Sequence, residues 1–164
     1  MLFYLYGLPG VGKNFVGNIF EKQFNFKFID ADNYLTENMK EKLRERKHFT
    51  PEEVSEYHKI IAFNIFEIKS NYSNLVIAQA SLFKKNRNLI KVLNPEIKFI
   101  HVKSNYQTIN QRIKYRKGYV DKEYSDYLQK FLEISESDLE IVNSNNDNQN
   151  YLIKQIKKII HFSI

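Results

Sequence analysis

The chain has 164 residues, the length of one domain, and its 43% hydrophobic and 27% charged residues are ordinary for a globular protein. It contains no cysteine, which excludes disulfides, thiolate zinc sites and thiol catalysis. The net charge of +6 could attract nucleic acid, a membrane or a phosphorylated ligand, but basic and acidic residues are mixed along the chain, a pattern that favours solvated helix faces over a nucleic-acid groove.

The first apolar run, Leu2–Tyr6, is short and no basic region precedes it. It is therefore predicted to be a buried strand and not a signal peptide. No apolar stretch of the sequence reaches the length that spans a membrane. Together these features lead us to expect a cytoplasmic enzyme.

A glycine-rich segment, Gly-Leu-Pro-Gly-Val-Gly-Lys-Asn, follows this strand at residues 7–14. It matches the P-loop pattern G-x-x-x-x-G-K, with Asn14 at the position where Ser or Thr is usual. Such loops bring backbone N–H groups to phosphate oxygens, and a helix that begins at Lys13 favours an anion at its N-terminus. The alternative is a plain strand–turn–helix corner with a surface lysine. The predicted nucleotide-binding residues here are Gly7, Leu8, Pro9, Gly10, Val11, Gly12, Lys13, Asn14 and Phe15.

Two carboxylates, Asp30 and Asp32, stand at the end of the next apolar run, Phe26–Ile29. At this distance after a P-loop, one of them is predicted to help hold Mg²⁺ and the other to orient and deprotonate a substrate hydroxyl. The alternative is that one aspartate only caps the helix that follows.

Helical patterns occupy the region from residue 35 to residue 68. Leu35, Met39 and Leu43 repeat at the spacing of one helix face. Thr50, followed by Pro51 and by Glu53 three residues on, predicts a capping box that opens a further helix. That helix has an apolar stripe formed by Val54, Tyr57, Ile61, Ile65 and Ile68.

The remaining apolar runs are short and rich in β-branched or aromatic residues, and they are predicted to be strands buried on both faces. They comprise Leu75–Ala78, Ile97–Val102 and Leu139–Val142. Helical patterns follow near residue 110 and from Leu152 to Ile160. Strands that alternate with helices predict a parallel α/β sheet, in which ligands bind at the carboxyl ends of the strands.

A basic helix segment, Gln111–Gly118, lies between the last two predicted strands. Arg112 and Arg116 are one turn apart and share a helix face, where guanidinium groups could stabilise a transferred phosphoryl group. Gly118 is predicted to end this helix and to act as the hinge of a lid. The alternative is a solvated basic face.

The order of these motifs resembles the small P-loop kinases of the gluconokinase and shikimate kinase group, most closely gluconokinase-like carbohydrate kinases, over residues 1 to 134. The similar segments are Phe28–Leu35 with its Asp-x-Asp pattern, Leu75–Leu82 followed by Lys84 and Arg87, and the lid-like run Gln111–Gly118. The sequence departs from the pattern at Asn14, at Val54 and Tyr57 in place of Arg and Trp, at Phe83 in place of Lys, and at Tyr119 in place of His.

This resemblance implies a nucleoside-monophosphate-kinase-like P-loop NTPase fold, a five-stranded parallel sheet of order 2-3-1-4-5 in a single domain over residues 1–164. It also implies a helical substrate-binding insert at about residues 33–70 and a lid at about residues 112–125. The implied cofactors are ATP and Mg²⁺. By position, the catalytic residues would be Lys13, Asp32 and Arg116, and the residues in contact with the nucleotide would include Arg112, Asn143 and Asn145. The metal would be held by Asn14 and Asp30. The substrate would be contacted by Asp32, Tyr57, Lys84 and Arg87.

We therefore expect an ATP-dependent kinase that phosphorylates a hydroxyl of a small metabolite, such as the sugar acid gluconate. Two alternatives remain open at this stage. The replacement at Asn14 is compatible with a nucleotide-binding protein of degenerate or regulatory activity, and the basic charge is compatible with a nucleotide or nucleic-acid-end kinase. Neither a membrane nor nucleic acid is the expected partner, and both a monomer and a homodimer fit the sequence.

Overall fold

The computed structural model describes residues 1–115, 120–144 and 149–163. Five parallel strands form one sheet in the order β2-β3-β1-β4-β5, which confirms the predicted fold. The strands are β1 Leu2–Tyr6, β2 Lys27–Asp30, β3 Leu75–Ala78, β4 Lys98–Lys103 and β5 Leu139–Val142. The helices are α1 Lys13–Phe24, α2 Glu37–Arg44, α3 Pro51–Ile68, α4 Lys84–Leu93, α5 Tyr106–Tyr115, α6 Lys122–Gln129 and α7 Gln149–His161, with 3₁₀ turns at Ala31–Tyr34 and Lys69–Asn71.

Alternate residues of the central strand β1 face two hydrophobic cores. Phe3 and Leu5 pack on one face of the sheet, in a cluster to which α1, α5 and α7 contribute. Tyr4 and Tyr6 pack on the other face, in a cluster with the apolar stripe of α3 and with Ile90 of α4. Helices therefore cover both faces, as right-handed crossovers between parallel strands require.

The expectation that every strand is buried on both faces is correct for β1 and β3 and wrong for β2 and β5. All residues of β1 and β3 are buried, whereas β2 has no buried residue and Ile141 is the buried residue of β5. Because β2 and β5 are the edges of the sheet, each has a hydrogen-bonded neighbour on one side only.

The helix starts follow local signals in the sequence. The capping box at Thr50 is confirmed, because its side chain accepts from the backbone N–H of Glu53 while the Glu53 carboxylate accepts from the N–H of Thr50. The helix predicted to include Leu35 begins only at Glu37, because Thr36 caps it by accepting from the N–H of Met39. Both helices lie in the segment expected to form the substrate-binding insert.

Candidate active site

The glycine-rich loop joins β1 to α1 at the carboxyl end of the sheet. Gly7, Gly10 and Gly12 have φ angles of 144°, 83° and 88°, a region that side chains rarely adopt. α1 begins at Lys13, as predicted, so its first N–H groups open onto the loop. The Lys13 ammonium donates to the carbonyl oxygens of Gly7 and Leu8, both at 3.0 Å, which places its charge over the loop.

Two side chains from the other half of the chain hold the loop in place. The Nδ2 group of Asn143, just after β5, donates to the Val11 carbonyl at 2.8 Å. The Arg112 guanidinium of α5 donates to the same carbonyl at 3.0 Å and to Asn143 Oδ1 at 3.3 Å. A side chain at Gly12 would collide with the Asn143 amide. Arg112 and Asn143 therefore lie against the loop.

Asp30 and Asp32 lie at the end of β2, facing the start of α1. Asp30 Oδ1 accepts from the backbone N–H of Asp32 at 3.0 Å, so Asp30 caps the 3₁₀ turn that follows β2. Its other oxygen accepts from the Asn14 amide. The capping alternative thus holds for Asp30, although the same carboxylate also joins the P-loop helix to the β2 edge.

One cavity of about 420 Å³ brings these groups together. Its phosphate side is formed by the loop and Arg112, and its other walls come from the ends of β2 and β3, the α2–α3 region and α6. The lining residues are Pro9, Gly10, Gly12, Lys13, Asn14, Asp30, Asp32, Leu35, Leu43, Phe49, Ala78, Gln79, Ala80, Arg112, Val120, Tyr124 and Leu128. Gln79, Phe49 and Tyr124 were not singled out from the sequence, because no local motif marks them.

Several residues predicted for the site are not among those that line this cavity. Phe15 is 43% exposed on α1, and neither Phe15 nor Leu8 is among the lining residues of this cavity. Tyr57 is buried in α3 and donates to the Ala31 carbonyl at 2.6 Å, behind the aspartate-bearing turn. Lys84 is exposed at the start of α4. Arg116 and Asn145 lie outside the described residues.

Arg87, predicted to sit near the substrate, is buried in the core instead. Only 2% of its surface is exposed, and its guanidinium lies 4.0 Å from the centre of the Tyr6 ring. It donates to the Ser81, Leu82 and Glu133 carbonyl oxygens and is 3.7 Å from Asp138 Oδ2. Its burial and its three hydrogen bonds to backbone carbonyl oxygens make its placement that of a structural arginine.

A buried polar network adjoins the cavity at the end of β3. Ser81 Oγ is 2.8 Å from Tyr4 Oη, from His58 Nε2 and from Gln79 Oε1. His58 Nδ1 is 2.7 Å from the Val54 carbonyl oxygen, which can only accept, so Nδ1 carries a proton. His58 therefore has two specific partners, Val54 and Ser81.

Burial gives His58 a defined effect on stability. Desolvation lowers the pKa values of both His58 and His101 below the ordinary value of 6.5. Below about pH 6.5 the unfolded chain takes up protons that the folded chain does not bind. We therefore expect the free energy of unfolding to be unaffected by these groups above that pH and to fall on acidification, by at most about 1.4 kcal/mol per pH unit for each histidine.

Urea unfolding at about pH 7.5, 6.5 and 5.5 measures this dependence. Between the two lower pH values, the decrease in the free energy of unfolding is expected to be smaller in His58→Gln. His161→Gln, at the exposed end of α7, is expected to show the same decrease as the unaltered protein. Equal slopes in the two variants would show that His58 is not the titrating group.

In the described part of the chain, no helix is long and apolar enough to cross a membrane. The described residues also contain no group of three or more His, Asp or Glu side chains arranged to hold a metal ion. A cation at this site would thus depend on few protein ligands, completed by water or phosphate oxygens, which is the coordination that Mg²⁺ favours.

Similarity to known proteins agrees with this geometry. A family model described as shikimate kinase matches residues 9–161. A shikimate kinase of Macrococcus caseolyticus (strain JCSC5402) is 30% identical over 113 residues, which is 69% of this chain and 65% of that protein. A thermoresistant gluconokinase of Escherichia coli (strain K12) is 25% identical over 118 residues, which is 72% of this chain and 67% of that protein. The alignment thus spans just under two thirds of the shikimate kinase.

Among solved structures, an unliganded sugar kinase from Janibacter sp. HTCC2649 superposes with a TM-score of 0.84 over 97% of this chain and 93% of that chain. At 16% identity this likeness bears on the fold alone. The family model covers nearly the whole chain, including residues 9–14 of the glycine-rich loop and both aspartates of the cavity. This chain belongs to the shikimate kinase family.

Proposed function

We propose that the protein is an ATP-dependent phosphotransferase that acts on a hydroxyl group of a small metabolite, with a sugar acid such as gluconate as the first candidate. The observation that carries this proposal is the single cavity in which Lys13 and Asn14 face Asp30 and Asp32. The names of the two relatives supply gluconate and shikimate as acceptors to test. A cytoplasmic location and the absence of nucleic-acid and membrane partners belong to the same proposal.

The backbone of the glycine-rich loop is suited to binding a nucleoside triphosphate. Gly10 and Gly12, both with positive φ, and the N-terminus of α1 line the cavity, and the backbone N–H groups of such loops bind phosphate oxygens. Lys13 adds a positive charge that can move from the carbonyl oxygens of the loop to a phosphate. Arg112 and Asn143 hold the loop through hydrogen bonds to the Val11 carbonyl, and both are also proposed to contact the adenine, together with Asn145.

The donor set near the loop also fits Mg²⁺. Asp30 and Asn14 contribute carboxylate and amide oxygens, the ligand types that this hard cation accepts. When bound with ATP, Mg²⁺ supplies neutralisation of the charge that develops on the phosphates. Asp30 is also held by the N–H of Asp32, so its carboxylate is fixed in direction before any cation binds.

The chain itself performs the other tasks of an in-line transfer. Asp32 accepts the proton of the attacking hydroxyl, and Lys13 balances charge on the γ-phosphoryl group, a task that we propose Arg116 shares. The apolar side chains of Leu35, Phe49 and Leu128 wall the cavity, which limits access of water as a competing acceptor. Residues 112–125 are proposed to act as the lid.

Release of ADP from ATP and Mg²⁺, measured across a panel of acceptors, tests the proposal. The panel comprises gluconate, shikimate, neutral sugars, nucleosides and oligonucleotides with a 5′-hydroxyl. We expect one small metabolite to stimulate release well above background. Stimulation by none of them, with ATP still bound, would contradict the proposed acceptor class.

A second candidate function, a nucleotide-binding protein with little kinase activity, is favoured by Asn14. In this chain an amide that donates to Asp30 replaces the hydroxyl that normally ligates the cation. Asn14→Thr restores a hydroxyl at this place, and we expect it to raise turnover by about tenfold, the worth of one hydrogen bond to a charged group.

Turnover at saturating ATP and Mg²⁺ measures this effect, with Asn18→Thr as the control one turn further along α1. Asn18 donates to the backbone oxygen of Asn14 and is exposed, so its replacement should leave turnover unchanged. A turnover in Asn14→Thr equal to or below that of the unaltered protein would show that the amide is adapted to its task.

A further inference from the structure

Gln79 occupies a fixed position between the central sheet and the cavity. It follows β3 directly, and its backbone N–H donates to the Leu5 carbonyl of β1 at 3.1 Å. The next residue, Ala80, accepts from the N–H of Gly7, where the P-loop begins, at 3.2 Å. The side chain of Gln79 is partly exposed and lines the cavity. Its backbone is therefore tied on both sides to the strand and loop that would carry the nucleotide.

The direction of the Gln79 amide follows from its partner. Its Oε1 atom accepts from the backbone N–H of Ser81 at 2.6 Å. A backbone N–H can only donate, so the oxygen must be the end that faces Ser81, and the –NH₂ group must be the other end. No residue in the described part of the chain accepts a hydrogen bond from this –NH₂ group. Two donors on a cavity-lining side chain are thus left for a ligand.

Ser81 makes this arrangement rigid. It is 2% exposed and has a φ of 38°, a left-handed conformation that is costly for a residue with a side chain. Contacts of its hydroxyl with Tyr4 and His58, in the core beneath, hold it there. Strain of this kind persists where the surroundings over-determine it, and it clusters at ligand sites. The amide of Gln79 is therefore presented with little freedom to turn.

We propose that Gln79 is a specificity-determining residue, whose –NH₂ group donates to an oxygen of the phosphate acceptor while Asp32 accepts the proton of the reacting hydroxyl. This inference rests on the proposed function and defines the acceptor further: it carries an oxygen that accepts a hydrogen bond, in addition to the hydroxyl that is phosphorylated. That oxygen belongs to a carboxylate or to a second hydroxyl. Molecules that lack this oxygen are expected to be rejected as acceptors, because they would leave the amide donors of Gln79 unpaired.

Two substitutions of Gln79 test the inference by separating KM for the acceptor from KM for ATP. Gln79→Glu keeps an oxygen for the N–H of Ser81 and removes the donors, whereas Gln79→Met removes both and adds no charge. We expect Gln79→Met to raise KM for the acceptor by about tenfold or more, the effect of one lost hydrogen bond, whereas the effect of Gln79→Glu depends on the kind of oxygen that the acceptor carries. KM for ATP is expected to stay within about twofold. Gln23→Glu, exposed near the end of α1 and therefore at the amino ends of the strands, away from the cavity, is the matched control.

The two variants also distinguish the two sources of the oxygen. If the oxygen belongs to a carboxylate, Gln79→Glu should raise KM for the acceptor much more than Gln79→Met does, because the two negative charges repel each other. If it belongs to a hydroxyl, Gln79→Glu should be the milder change, because a carboxylate can accept from that hydroxyl. Wild-type KM for the acceptor in both variants would overturn the inference and leave the proposed function standing. Failure of every acceptor with the unaltered protein would overturn both.

Discussion

Replacement of Lys13 by alanine is expected to lower the rate of phosphoryl transfer by about 10²- to 10³-fold, the typical loss when one charge-stabilising group is removed from an active site. Lys13 is the first residue of α1, and its ammonium lies over the loop on the carbonyl oxygens of Gly7 and Leu8. Alanine is a good helix former, so the fold should persist. The measurement is kcat at saturating ATP, with circular dichroism to verify folding.

Lys22→Ala is the control for this prediction. Lys22 is exposed in the last turn of the same helix, so its replacement removes an equal charge far from the loop. It should leave kcat near that of the unaltered protein. Near-normal turnover in folded Lys13→Ala would mean that the loop does not act on a transferred phosphoryl group.

Replacement of Asp32 by asparagine is expected to lower kcat by about 10²- to 10⁴-fold, the usual contribution of a general base. Asparagine keeps the shape of the side chain but cannot take a proton from the acceptor hydroxyl. The cap of the 3₁₀ turn should survive, because Asp30 supplies it and the backbone N–H of Asp32 remains. KM for ATP should change little, since the proposed phosphate contacts lie on the loop.

Asp126→Asn is a suitable companion variant, because Asp126 is on α6, outside the cavity, and contacts Tyr106. Its kcat should match that of the unaltered protein. If Asp32→Asn keeps more than about a tenth of normal kcat, proton removal by Asp32 is not part of the mechanism, and Asp32 is then only an orienting group.

The features that could be predicted from the sequence are those encoded over short distances. The glycine-rich loop, the capping box at Thr50 and the apolar runs each lie within a few residues, and each forms the expected element within one or two residues of its predicted bounds. Alternation of strands and helices then restricts the sheet to few topologies. The family resemblance supplied the strand order, which the structure confirms.

The features that could not be predicted depend on partners distant in the chain. Arg87 is buried because Glu133 and Asp138, about fifty residues later, come to lie beside it. The sequence around Arg87 does not indicate that these partners will lie beside it. Gln79 is similar, since its proposed role follows from a hydrogen bond to a strained serine and from its place in a cavity formed by six separate segments. Such side chains differ from ordinary polar residues in their place in the fold and not in their residue type.

Transfer of label from γ-phosphate-labelled ATP to a small metabolite tests the central claim most directly. The unaltered protein is incubated with Mg²⁺, labelled ATP and each acceptor of the panel, and the products are separated. We predict that label appears on an organic acceptor in proportion to the ADP formed, and that Asp32→Asn lowers the rate of this transfer by about 10²- to 10⁴-fold while ATP still binds. Label found only in ATP and inorganic phosphate with every acceptor would contradict a hydroxyl-directed kinase.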